Sequence, residues 1–488
     1  MGLNYLVSLG HYVPELIVCI TMFSLILIEA AHDKDATSKP LIGLTSFIGL
    51  ISAFVILVLN LSKPGLSIFT NSIVIDSFGT FAKIIMVLGT LGAIYIAEQS
   101  SDIYQKLKSE FSIMALGVLV GGMLLTSANN MLLLYIGLET LSILSYVMAT
   151  LKKNNERSGE AGLKYSLYGG ISAGIMLFGM SHVFGVLGTI NFSEMATMIP
   201  NLTSDQMLIL IPSFLLFFVG LGYKIACVPF HMWSPDVYEG SPIPVTAFFA
   251  IVPKIAGMAV IARLTMLLFN NDSLLSVSWI GALSVIAALT MTVGNISAIG
   301  QRSVKRMLAY SSIGHAGVML LGIVVVSEIG LRSLLFYAFT YLFMTLVAFY
   351  IVSFVNDTYG NDHFDRFSGL IYKHPIMAIS MIIVMFSLAG IPPLSGFVAK
   401  FNIFSAVVAK KYYVLAIIAG INSVISLYYY MKIIRLMVFK TSESENMILG
   451  LTLRNQLIIG ALTVPVVTLG VFWEKIIGVA AQATLLIQ

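Results

Sequence analysis

Fourteen times along this chain an apolar run of about twenty residues is closed by charge, glycine or proline, and runs of that length match the hydrocarbon thickness of a bilayer. With no water in the bilayer to bond exposed backbone, each run must satisfy its own N–H and C=O groups, which selects the α-helix. Composition agrees: 58% of the 488 residues are hydrophobic and 10% are charged, where soluble domains carry about a quarter charged. The predicted class is all-α, a polytopic membrane protein of about 14 transmembrane helices. The predicted spans are 10–30, 40–60, 73–97, 111–127, 130–151, 161–189, 207–229, 243–267, 275–297, 303–326, 331–355, 374–408, 412–437 and 454–473. The first is expected to be retained, because no basic leader or small-residue cleavage site accompanies it.

Lysine and arginine set the orientation, since they gather in short cytoplasmic loops. Of the 27 such residues, 16 fall in odd-numbered loops, among them Lys34, Lys39, Lys152, Arg157, Lys305 and Arg306. Even-numbered loops and the termini hold 6, including Arg263, Lys410 and Lys411. Odd loops are thus assigned to the cytoplasm and both termini to the opposite side.

Two spans are predicted to be interrupted. The seventh holds Pro212 and ends in Val228-Pro229-Phe230-His231, and the twelfth holds Gly390-Ile391-Pro392-Pro393-Leu394-Ser395-Gly396. Proline removes a donor and frees a carbonyl one turn back, and in lipid such backbone persists only where protein or water covers it. Paired breaks are the sequence mark of a transport site built from repeats. The breaks lie five spans apart, so spans four to eight (111–270) and nine to thirteen (271–440) are expected to be two inverted five-helix repeats. A three-helix segment (1–110) precedes them and a C-terminal helix (441–488) follows.

A few ionisable groups stand alone inside these runs. Lys224 is the sole charge from Met207 to Phe230, Lys254 from Ser241 to Ala262, Lys400 from His374 to Ala409, and Glu139 from Phe111 to Leu151. A charge at mid-membrane costs about 2.5 to 3.5 kcal/mol on insertion scales, so each implies a partner, water or a task. Lysine gives up its proton when desolvated far more readily than arginine. The plain structural reading is a static ion pair joining the fifth and seventh spans, with snorkelling lysines elsewhere. Central placement and the number of lysines favour proton carriage instead. His315 suits a shuttle between Lys254 and Lys400, or a simple interhelical hydrogen bond. His182 could add to that chain, while His231 is read as capping the broken helix. Lys83, Lys164 and Asp76 lie near predicted span ends and are read as snorkelling or end residues. Asp236 and Glu239 are read as turn and capping residues, and Tyr428 to Tyr430 as packing or interface anchors. Cys19 and Cys227 form no metal or disulfide pattern, and no nucleotide-binding glycine motif occurs, so no cofactor or metal is expected in this chain.

The block Pro229-Phe230-His231-Met232-Trp233-Ser234-Pro235-Asp236-Val237-Tyr238-Glu239-Gly240 resembles the signature of the antiporter-like subunits of respiratory complex I. Pro253-Lys254, Tyr310-Ser311-Ser312-Ile313-Gly314-His315, the Gly390 to Gly396 run before Lys400, and Gly137-Leu138-Glu139-Thr140 follow the same order. Within that family the chain is similar to the N-type branch. The M-type has glutamate where this chain has Lys400, and the L-type carries a lateral helix for which the stretch after Trp473 leaves no room.

The resemblance implies that Glu139 pairs with Lys224, that Lys254 is a central lysine and that Lys400 passes the proton outward. It implies a non-redox subunit of a proton-translocating NADH:quinone oxidoreductase in a bacterial inner membrane. Flavin, iron–sulfur clusters and quinone are then expected in partner subunits. The expected neighbours are M-, K-, J- and A-like chains and the lipid bilayer, with no nucleic acid. The rival readings are a subunit of a multi-subunit cation/proton antiporter, of an energy-converting hydrogenase, or an assembly scaffold.

Overall fold

The computed structural model describes residues 5–31, 39–440 and 452–484. Lys34, the side chain of Lys39 and the 441–451 boundary before the last span lie outside the described residues. Among those described, thirteen helices are long and apolar enough to cross a membrane. Two shorter apolar helices, Pro375–Ala389 and Ser395–Ala409, make up the broken twelfth span. Among the described residues the chain is thus all-α apart from one small hairpin. That hairpin pairs Leu66–Ile68 with Ile73–Ile75 and corrects the predicted start of the third span, which begins at Ser77. The reason is local: Asp76 is extended and its side chain accepts from the Gly79 N–H, so it caps the helix and cannot lie within it.

Polar caps begin most of the other spans. Asn130, Asn155, Ser273, Ser303, Ser327 and Thr452 each accept a backbone N–H of the following turn, and Thr203 with Gln206 forms a full capping box. Beyond the last span a further helix, Glu474–Thr484, packs against the third and eleventh spans.

The spans differ in how much of them is covered. Every residue of the eighth span (Ile243–Leu268) from Ile243 to Thr265 is buried, enclosed by the third, fourth, seventh, tenth and eleventh spans. The tenth (Val304–Val324) is nearly as enclosed. The first, second, thirteenth and fourteenth keep broad apolar faces outward. A helix apolar on all sides belongs in the interior of such a bundle. The two most enclosed helices are those that carry Lys254 and His315.

Both predicted breaks are present. The seventh span runs Ser204–Ile225, breaks, and resumes as the short helix Trp233–Gly240. Each break opens with the same cap. Ala226 is left-handed (φ 56°), with its N–H on the Tyr223 carbonyl and the Cys227 N–H on the Gly222 carbonyl. Gly390 is left-handed (φ 91°), with its N–H on the Ser387 carbonyl and the Ile391 N–H on the Phe386 carbonyl. These are paired Schellman motifs, which satisfy carbonyls that the interrupted helix would otherwise leave bare.

Candidate functional site

Lys224 sits in the last turn before the first break and is 2% exposed. Its ammonium donates to Ser142 Oγ at 3.0 Å and lies 5.6 Å from the Tyr165 ring and 5.9 Å from the Tyr146 ring. Tyr165 in turn stacks on Trp233 at 4.4 Å, the Trp233 indole donates to the Tyr223 carbonyl at 3.0 Å, and the Tyr223 hydroxyl donates to the Tyr165 carbonyl at 2.7 Å. The short helix after the break is thereby tied to the turn that holds the lysine. Glu139 lies one turn before Ser142 on the fifth span (Met131–Ala149), half-buried, with Oε1 sealed from solvent and without a hydrogen bond. The expected Glu139–Lys224 pairing is not a contact ion pair in this structure: the ammonium donates to Ser142 Oγ, one helical turn from Glu139. Gly137 sets this position, because a Cβ there would fall 2.9 Å from the Leu125 backbone nitrogen on the fourth span.

Lys254 follows Pro253 at the middle of the eighth span, 1% exposed. Its ammonium donates to the Ser312 carbonyl at 2.6 Å and to Ser312 Oγ at 3.0 Å. One turn further along the tenth span, His315 is held by both ring nitrogens, Nδ1 with Tyr337 Oη at 2.6 Å and Nε2 with Tyr430 Oη at 3.0 Å. Tyr430 Oη also meets Ser311 Oγ at 2.5 Å. A neutral imidazole donates through one nitrogen and accepts through the other, so this arrangement can pass a proton in either sense. His315 then faces a cavity of about 10 Å³, near the minimum for one water, lined also by Asn295, Asn422, Tyr429 and Lys400. Lys400 stands six residues past Leu394, and its ammonium donates to the Ala389 carbonyl at 2.9 Å. The acceptor is the carbonyl of the last residue of the preceding half-helix.

The structure thus brings His315 and Lys400 to one cavity, holds Lys254 on Ser312 one turn from His315, and sets Lys224 against the Lys254 helix, where a Cβ on Gly257 would fall 3.9 Å from Lys224 Cβ. Tyr429 and Tyr430, expected as packing or interface residues, are buried and bonded into this group, Tyr429 through Asn295 Oδ1 at 2.9 Å. Asn295 and Asn422 had no separate signal in the sequence beyond being amides inside apolar runs.

Several end-residue assignments are corrected. Lys83 does not snorkel: it is buried in a 2.5 Å ion pair with Glu15 of the first span. Asp76 is gripped by both Arg263 guanidinium nitrogens, at 2.5 and 2.9 Å, and both residues are buried. Asp236 and Glu239 are more than turn residues. With Lys164, Arg157 and Arg306 they form an ionic cluster in which Lys164 reaches Asp236 at 2.7 Å and Arg306 binds both carboxylates. The cluster lines a cavity of about 240 Å³. His182 is exposed and bonds only its own helix at the Phe178 carbonyl, so it stands apart from the cavity that His315 and Lys400 share. His231 is half-buried, with Nδ1 unpartnered. Among the described residues no group of three His, Cys, Asp or Glu side chains is placed to hold a metal.

Residues 128–426 match the family described as NADH:quinone oxidoreductase/Mrp antiporter, TM. NADH-quinone oxidoreductase subunit N of Trichlorobacter lovleyi is 38% identical over 90% of this chain and 89% of its own. This chain belongs to the antiporter-like subunit N family. A chain of respiratory complex I from Thermus thermophilus superposes with a TM-score of 0.81 at 27% identity, over 96% of this chain and 99% of that one. A chain of the Mrp complex from Dietzia sp. reaches 0.84 at 20% identity over 96% of each, which is a likeness of fold. By its helices the protein is a multi-pass membrane protein, and by its family it is a subunit of a multi-subunit enzyme complex.

Proposed function

We propose that this chain is the proton-translocating, non-redox membrane subunit of an NADH:quinone oxidoreductase, and that Glu139, Lys224, Lys254, His315 and Lys400 carry its protons. One observation supports the route above the rest: Lys254, Ser312, His315 and Lys400 follow one another through the most enclosed part of the bundle. Protons enter from the cytoplasm, load Lys224 and Lys254, pass His315 and leave by Lys400 on the periplasmic side of a bacterial inner membrane. The two five-helix repeats supply the two half-routes. Flavin, iron–sulfur clusters and quinone belong to partner subunits, and M-, K-, J- and A-like chains are the expected neighbours.

Coupling is electrostatic. The Lys224 ammonium rests on Ser142, one helical turn from Glu139 on the fifth span. Unit charges at about 4 Å interact by roughly 4 kcal/mol at an effective dielectric near 20, enough to move a proton affinity by about three orders of magnitude. A charge change in a neighbouring subunit that closes or opens this gap therefore drives Lys224, and repulsion along the lysines expels a proton.

The test is Lys254→Ala in the assembled complex, read as quinone-coupled proton pumping in sealed vesicles. The expected fall is at least about a hundredfold, the low end of what a positioned proton carrier supplies. Pumping at the parent level with assembly intact sinks the reading. Copurification with flavin and iron–sulfur subunits separates it from a stand-alone cation/proton antiporter.

A further inference from the structure

Three loops on one side of the bundle, those after the eighth, tenth and twelfth spans, meet around a cavity of about 480 Å³, within the range of small-ligand sites. None of its residues belongs to the proton-carrying set. Asp272 and Lys410 stand at its loop end beside Tyr412, while Val277, Ile280 and Gly281 carry it down the ninth span (Leu274–Ile299). From Leu274 to Gly281 the helix rises by about 10 Å, so the cavity runs from loop level into the apolar length of the span. This face looks outward. Val277 is 63% exposed, Val285 is 60% exposed, and a Cβ added at Gly281 between them would meet no protein atom within 4 Å. The groove therefore has an open apolar floor and a charged mouth.

The two charges at the mouth are opposite in sign, yet neither forms an ion pair with the other or with any other described residue. Both turns that present them are fixed. Asn271 Oδ1 accepts the Ser273 N–H at 3.1 Å and the Ser276 hydroxyl at 2.6 Å, which sets the turn holding Asp272. The Lys411 N–H donates to the Val408 carbonyl at 2.9 Å and the Tyr412 N–H to the Val407 carbonyl at 3.1 Å, which sets the turn holding Lys410. Tyr412 and Tyr413 are 37% and 56% exposed, the placing of aromatic side chains at headgroup depth.

A ligand for this groove must match a cation, an anion and an apolar channel together. An anionic headgroup satisfies Lys410 but is repelled by Asp272. A choline headgroup carries both charges, but its quaternary nitrogen has no N–H for the carboxylate. An ethanolamine headgroup has a phosphate for the lysine and an ammonium with three donors for the aspartate, so both contacts are charge-assisted hydrogen bonds. We propose that the groove binds a phosphatidylethanolamine, with its phosphate on Lys410, its ammonium on Asp272 and an acyl chain along Val277, Ile280 and Gly281. Lys410 is the C-cap of the half-helix that carries Lys400, so the bound lipid ties that half-helix to the ninth span. This site goes beyond the proton-carrying reading and does not depend on it.

The experiment washes the assembled complex in detergent with phosphatidylcholine, then counts the phosphatidylethanolamine retained per complex by mass spectrometry of the extracted lipid. It compares the parent with the double variant Asp272→Asn, Lys410→Gln and with Gly281→Leu, which puts a side chain into the groove where the protein leaves space. The parent is expected to keep one more phosphatidylethanolamine than either variant. Titrated back from vesicles of that lipid, the double variant should need about tenfold more or beyond to reach the same occupancy, as expected for lost hydrogen bonds between charged groups. Equal retention in all three overturns the proposal, as does equal refilling by phosphatidylglycerol or phosphatidylcholine vesicles. If the variants fail to assemble, a high-resolution map of the parent complex decides. A headgroup bridging Asp272 and Lys410 above an acyl chain supports the site, and a neighbouring subunit filling the groove overturns it.

Discussion

The two helix breaks share a left-handed cap and, two residues beyond it, a cis bond to proline, at Val228-Pro229 and Pro392-Pro393, yet they differ in helix lengths and in how each holds its lysine. In the first, a 22-residue helix ends at Ile225 and 8 helical residues follow, whereas the second divides evenly into 15 and 15. At the first, the lysine precedes the cap and is boxed by Tyr146, Tyr165 and, through Tyr165, Trp233. At the second, the lysine follows the cap, reaches back to the Ala389 carbonyl and faces a pocket of amides. The same backbone device therefore serves two ends. One break holds a cation against aromatic faces, where a nearby carboxylate can sway it. The other opens a polar pocket where a proton can be handed on.

The largest expected effect tests the second role. Lys400→Arg keeps the charge but cannot release a proton, so pumping in the assembled complex should fall by about a hundredfold or more. Unchanged pumping would make Lys400 a mere staple for Ala389 and erase the contrast between the breaks. Gly390→Ala comes next. It forces a side chain onto a left-handed backbone at φ 91° and puts its Cβ 2.9 Å from Lys400 Cδ. A cost of roughly 1 to 3 kcal/mol is expected, visible as a lowered unfolding temperature together with slowed pumping.

Acid should separate the breaks by a smaller margin. The segment after the first break is anchored by Asp102 through the Ile243 N–H, an ionic tether for which the second break has no counterpart among the described residues. Burial pushes the Asp102 carboxyl up, but Lys305 and Lys152 and the bonds from Lys152 and the Ile243 N–H outweigh it and hold it below its ordinary value. A depressed carboxyl stabilises fully above its unfolded pKa, near about 4, and loses that contribution as pH falls through its lower folded value. Parent stability should thus drop at low pH more steeply than that of Asp102→Asn, in thermal melts run across that range. Equal slopes would mean the tether carries no charge-dependent stability. The smallest effect is expected for Ala226→Gly. Relieving the left-handed alanine in the first cap should change stability by less than about 1 kcal/mol, against the much larger loss at Gly390. A substantial loss there would mean that the two caps are not equivalent.

The number of spans, both breaks and the four stranded charges were legible because each is a local property: a run length, a proline, or one charge in an apolar field. What escaped was pairing. Glu15 and Lys83 are 68 residues apart, and Asp76 and Arg263 are 187 apart. Each looks like a span-end residue until the fold brings its partner to it. Lys305 was miscounted for the same reason, since the charge rule sees a loop and not the Ser241 carbonyl that draws the side chain inward. The separation of Glu139 from Lys224 is finer still. It turns on whether Ser142 or Glu139 takes the ammonium, a choice of one helical turn that residue type alone does not make.

The complete enclosure of the eighth span carries a consequence for adaptation. Membrane thickness and acyl-chain order act on a helix through the lipid it touches, and this helix touches none from Ile243 to Thr265. A cell that remodels its phospholipids with temperature would press on the rim, where the first two and last two long helices face outward. The cation at the molecular axis would feel that pressure only as transmitted packing. Rim residues can therefore drift to suit new climates while the axis keeps its tuning.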